Sequence, residues 1–223
     1  MQKLFIIAIV LGSAFSGFAQ ACGSKVKLQE TINSIVEKPS VFLSENYLYI
    51  IHPMIKKEDR EREYKVKGSF SWEGDSCQIT YTSYEQTKGS ESKSTIKMGE
   101  PFSYNYPVNT LKILLAENEF IGWEFSESLE LDKHQFSGYQ STILVAGEEK
   151  DFKVYLNDNQ LYAVSYGFAK SGISHAEDAE ESADFWYFTM VEGKLRLVKK
   201  LTIEASKSNS VPVLKKIIAT YQY

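Results

Sequence analysis

The sequence predicts an all-β fold, an antiparallel meander of about a dozen strands with a short helix near its N-terminus. Three observations carry that prediction. In EYKVKGSFSW, Tyr64, Val66, Gly68, Phe70 and Trp72 alternate with Lys65, Lys67, Ser69 and Ser71. A period of two describes a strand with one dry and one wet face. β-branched and aromatic residues dominate this run and the later ones, and they suit a pleated, half-buried surface. Finally, an acidic residue followed by Asn or Gly recurs at Glu45-Asn46, Glu117-Asn118, Asp158-Asn159 and Glu192-Gly193, with a fifth turn at Glu73-Gly74-Asp75. Asn and Gly tolerate the positive φ of tight turns, so each pair marks an expected β-hairpin. Their uneven spacing fits a meander and not a repeat array.

Residues 1–21, MQKLFIIAIVLGSAFSGFAQA, read as a secretory signal peptide. Lys3 precedes an apolar run from Leu4 to Leu11, and small residues follow up to Ala21. That is a basic start, an apolar middle and a small-residue cleavage site. The apolar run is shorter than the roughly 20 residues that span a bilayer. The expected location is therefore extracytoplasmic: periplasm, cell envelope or outside. Residues 22–223 then form one all-β domain. One of the 25 basic residues and none of the 29 acidic ones lies in the signal, so the remainder is acidic. An acidic, evenly mixed chain excludes a nucleic-acid partner, because phosphate binding needs a basic face.

Two cysteines follow the signal, Cys22 and Cys77. An oxidising compartment permits a disulfide between them. Cys22 also stands where a lipid-modified cysteine would. Ala19-Gln20-Ala21-Cys22 resembles the lipobox of bacterial lipoproteins, departing from it at Ala19 and Gln20. An unlipidated Cys22 is expected either to pair with Cys77 or to dangle from the chain end.

In SKVKLQETINSIVEKPS, Val26, Ile32, Ile35 and Val36 recur at helical spacing before Pro39. The expected element is an amphipathic helix over 26–37 that plugs one end of the sheet. KKEDRERE, 56–63, reads as a solvated loop or helical turn, and 170–184 as a long acidic loop. Isolated strands are expected near 94–98, 141–146 and 213–221. In GKLRLVKKLTI, Leu195, Leu197, Leu201 and Ile203 are expected on one face, interrupted by Lys199. The sum suits a barrel, a half-barrel or a two-sheet sandwich.

LYAVSYGF and DFWYFTMV are apolar on both faces. Such strands are either packed on both sides or stand between a core and a cavity. On the second reading Tyr155, Tyr166, Trp186 and Phe188 line a hydrophobic ligand cavity.

Catalytic chemistry leaves little trace. There is no G-x-S-x-G nucleophile elbow. His52 ends a strand-like run, His134 sits in a charged stretch, and His175 opens the acidic cluster HAEDAEESAD. That cluster lacks the spacing and the glycine of a calcium loop, and zinc would need more His or Cys. Glu124, Glu127, Glu130 and Asp132 in GWEFSESLELD raise the glycosidase question, which turns on a distance across a cleft. No catalytic residue, metal ligand or cofactor is assigned. Ile217, Ala219, Tyr221 and Tyr223 alternate up to the C-terminus, and so resemble the last strand of outer-membrane barrels. The reading is a non-catalytic binding or envelope-structural module, with an apolar small molecule or an envelope protein as partner. A small outer-membrane β-barrel and an envelope-polymer hydrolase are the alternatives.

Overall fold

The computed structural model describes residues 22–50, 61–88, 91–95, 100–145, 147–167, 181–208 and 211–223. The signal segment, His52 and His175 lie outside them. The first element is α1 (Lys25–Asn33), whose N-cap Ser24 side chain accepts from the Lys27 amide. Strands β1 (Val41–Ile50), β2 (Glu61–Glu73), β3 (Ser76–Lys88), β4 (Glu91–Thr95) and β5 (Phe102–Tyr104) follow. Then come α2 (Pro107–Glu117), β6 (Glu119–Leu131), β7 (His134–Val145), β8 (Glu148–Asn157) and β9 (Gln160–Gly167). The chain ends with β10 (Glu181–Val191), β11 (Lys194–Ser208) and β12 (Val211–Gln222). The predicted all-β antiparallel meander is the observed one.

The strands form one antiparallel sheet in the order β4-β3-β2-β1-β12-β11-β10-β9-β8-β7-β6, with β5 beside β4 on the outer edge of β3. Two meanders are joined where β1 pairs with β12, for example Phe42 with Tyr221. Laid flat, β3 and β6 would be about 43 Å apart, at about 4.8 Å per strand. Yet residues 105–118 connect β5, on β3, to β6. Helix α2 provides about 16 Å of that reach, and its flanking residues about 10 Å more. So the sheet has to curl toward itself, and α2 spans the gap between its two ends.

The curled sheet has two different faces. The inner one packs on the helices: Leu28 and Ile32 of α1 and Val108, Leu111 and Leu115 of α2 share a core with Ile79, Phe152, Trp186 and Leu197. On the outer face, Leu129, Leu131, Tyr155, Ala163, Tyr187 and Leu201 form a second core. This is why the β9 and β10 sequences are apolar on both sides.

Several sequence expectations change here. Glu45-Asn46 lies inside β1, and Glu117-Asn118 ends α2, so neither is a hairpin. Residues 61–63 belong to β2 and 181–184 to β10, not to loops. Helix α1 is shorter than 26–37, and it buries Leu28 and Ile32 while Val26 and Val36 are 63% and 74% exposed. Helix α2 was not expected, although Pro107 at its first turn followed by Val108, Leu111 and Leu115 is a helical signature. Along β11, Leu195 and Leu197 join the inner core, whereas Leu201 and Ile203 pack in the outer one. A register shift between Tyr187 and Phe188 skips Val198, and one extra residue inverts the alternation beyond it.

Three hairpins turn on two residues of positive φ: Asp132-Lys133, Asp158-Asn159 and Glu192-Gly193. That is the backbone of type I′ turns, whose twist matches the flanking strands. Asn159→Ala is expected to destabilise the fold by about 1 kcal/mol, because alanine lacks asparagine's tolerance of that region. Asn159→Gly should be nearly neutral, and urea unfolding midpoints compare the two.

Candidate functional site

The inner face divides along its length. Toward the helices it is apolar and sealed, with Trp186, Phe188 and Leu197 buried. Further along the same strands it turns polar. Register explains which side chains meet. Asp184 of β10 pairs with Thr202 of β11, which pairs with Ile217 of β12, which pairs with Asn46 of β1. One step nearer the helices the row reads Trp186, Lys200, Ala219 and Ser44.

These rows bound a hollow of about 400 Å³, closed on one side by Pro107 and Thr110 at the start of α2. Phe42, Tyr104, Ile217 and Ala219 give it apolar walls, while Asp184, Lys200, Thr202 and Glu204 give it polar ones. The polar groups are mutually satisfied. Lys200 Nζ lies 3.0 Å from Asp184 Oδ1, to which the Thr202 hydroxyl also donates at 2.5 Å. Lys215 Nζ lies 3.0 Å from Glu204 Oε2. The Tyr104 phenol, pushed up to about 12 by burial, meets the Tyr221 hydroxyl at 3.0 Å. A hollow with apolar walls and paired charges suits an amphiphile: a chain against the former, a polar head exchanging bonds with the latter. Among the described residues no imidazole stands near its hydroxyls, since the one described histidine, His134, is exposed at the start of β7.

The four cavity candidates do not form one wall. Trp186 and Phe188 are sealed in the inner core, and the Trp186 indole N–H donates to the Pro107 carbonyl at 3.1 Å. Trp186 thus sits behind the hollow and holds α2 at its mouth. Tyr155 belongs to the outer core. Tyr155 lines a second hollow, of about 380 Å³, on the outer face, which Tyr166 only borders, its ring packing against the inner core. Glu124, Glu127 and Glu130 are exposed on the edge strand β6, while Asp132, also exposed, accepts from the Tyr187 hydroxyl at 3.0 Å. Among the described residues no three His, Cys, Asp or Glu side chains cluster as metal ligands. Asp184, Lys200 and Thr202 were not singled out by the sequence. Asp184 read as part of an acidic loop, and the signal that it lay in a strand was the apolar run directly after it.

Both cysteines are free thiols and both are buried. Cys22 therefore does not dangle from the chain end. It sits by Tyr139 of β7, and burial pushes its thiol up to about 12. Cys77, on β3, donates to the Tyr104 carbonyl at 3.1 Å, and burial raises it too. Only thiolate reacts with alkylating agents. At pH 8 Cys22 in the native protein is therefore expected to alkylate on the order of 10³ times more slowly than in the unfolded chain. Mass spectrometry after a timed iodoacetamide pulse, with and without denaturant, measures this ratio.

No known family profile matches the chain, and no curated protein is significantly similar to it. A crystal structure of a LolA superfamily protein from Nitrosomonas europaea aligns with 90% of this chain and 94% of its own, at 10% identity and a TM-score of 0.34. A likeness of that depth fixes neither ligand nor location.

Proposed function

We propose that this protein is a non-catalytic binding module that works outside the cytoplasm and holds an amphiphilic small molecule in the hollow beside α2. The observation that carries this reading is the junction, within one hollow, of Phe42, Ile217 and Ala219 with the Asp184–Lys200–Thr202 group. The extracytoplasmic address rests on residues 1–21, read as a leader that is removed. Residues 22–223 act as one domain in this reading. A membrane barrel suits the inner face less well. Barrel lumens are polar, whereas here two helices and buried apolar side chains occupy that face.

A fluorescent fatty acid such as parinaric acid, titrated into the purified protein, tests the proposal. Saturable one-to-one binding is expected. Ala219→Phe, which places a ring in the hollow, is expected to weaken it at least about tenfold while far-UV circular dichroism stays unchanged. Binding that does not saturate, or an unchanged affinity in the variant, would overturn the reading.

A further inference from the structure

The outer hollow lies on the opposite side of the sheet from the site just proposed and has its own chemistry. It exists because the tip of the β6–β7 hairpin folds over the outer face. Phe136 stacks on Tyr162 with ring centroids 4.8 Å apart, and Leu129 and Leu131 are buried beneath the tip. Beyond the tip, the hollow lies over strands β8 to β11. Their side chains there give an apolar floor of Ala183, Phe185, Leu201 and Ile203.

The rim is acidic. Glu130 and Asp132 come from the tip and Asp151 from β8, against Lys153 as the one lining cation among the described residues. The field reaches the floor: the Tyr155 phenol is raised first by burial and then by the Asp151 and Asp132 carboxylates, despite a lowering hydrogen bond from Ser165. In low-dielectric surroundings such a field favours a cation strongly.

One further group is left over. Tyr155 and Ser165 are 3% and 8% exposed, and both line the hollow. Their hydroxyl oxygens are 3.3 Å apart, so one donates to the other. Each hydroxyl carries one proton. The second proton has no acceptor among the described residues, so it is free to be donated to an oxygen that occupies the hollow.

We propose that the outer hollow binds an amphiphilic amino alcohol. Its ammonium group lies against Asp132 and Asp151. The neighbouring oxygen accepts the spare hydroxyl proton of the Tyr155–Ser165 pair. Its alkyl chain covers Phe185, Leu201 and Ile203. The apolar floor alone would take any alkyl chain, and the rim alone any cation. The buried proton adds the demand for an acceptor beside the charge.

Calorimetric titration of the full chain with 2-amino-1-octanol, octylamine, 1-octanol and octanoate tests this. The amino alcohol is expected to bind most tightly and octylamine next, with 1-octanol and octanoate at least about tenfold weaker. Asp132→Asn and Asp151→Asn should each weaken the amino alcohol about tenfold, with wild-type circular dichroism. Asparagine at 132 still accepts from Tyr187, so the tip keeps its anchor. Ser165→Ala should erase the advantage of the amino alcohol over octylamine. The inner-face variant Ala219→Phe should leave all four titrations unchanged, which separates this site from the first. Equal binding of 1-octanol, unaltered affinity in both aspartate variants, sensitivity to Ala219→Phe, or no saturation by either amine would each overturn the proposal.

Discussion

Trp186→Ala is expected to destabilise the protein by about 3–5 kcal/mol, the range for truncating a buried large aromatic. For a chain of this size that lowers the melting temperature by roughly 10–15 °C. Trp186 is 1% exposed and lies between the sheet and α2. Its removal opens a void between the sheet and α2. It also removes the indole N–H that donates to the Pro107 carbonyl. Trp186→Phe separates the two effects. It keeps most of the packing and loses the hydrogen bond, so a cost of about 1–3 kcal/mol is expected. Thermal unfolding followed by circular dichroism measures both variants. A loss below about 1 kcal/mol for the alanine variant would mean that α2 is not held to the sheet at this point.

Gly138→Ala is expected to cost about 3 kcal/mol or more, although it adds a single methyl group. A Cβ at position 138 would stand 1.9 Å from the Val154 carbonyl oxygen and 2.9 Å from Leu129 Cδ1. The first of these is backbone on the neighbouring strand β8 and cannot swing aside. Relief requires β7 and β8 to part where the hairpin tip begins to fold over the outer face. Gly147→Ala is the control. Its φ of 86° is strained for alanine, but among the described residues nothing lies within 4 Å of the added carbon. A cost of about 1 kcal/mol is expected there. Urea unfolding of the two variants side by side tests the contrast, and equal costs would remove the close approach of β7 and β8 as the cause.

The candidate site was less legible than the fold, for reasons visible in single residues. Trp186 was singled out because its strand is apolar on both faces, and it does stand directly behind the inner hollow. Ala219 and Ile217 read only as alternating residues of a terminal strand. Their importance comes from standing opposite Ser44 and Asn46, more than 170 positions earlier in the chain. Lys199 alone read as interrupting the apolar face of its strand, and Lys200 was not singled out. The skipped residue Val198 sends Lys199 over the Tyr187 ring on the outer side and Lys200 inward to Asp184. A bulge of this kind follows from how two strands settle against each other, and the alternation of either strand alone carries no mark of it.

The sequence by itself determined the local features of this protein. Period-two patterning made the strands, and positive-φ residues such as Asn159 and Gly193 made tight hairpins. Ser24 began the first helix. Each depends on residues within a few positions, where steric and capping preferences act directly. Tertiary structure alone decided the pairing of β1 with β12 and the span of α2 across the open ends of the sheet. It also decided which face each residue beyond a bulge presents. Those outcomes minimise exposed apolar area and unpaired backbone over the whole chain at once, and no local stretch contains that sum.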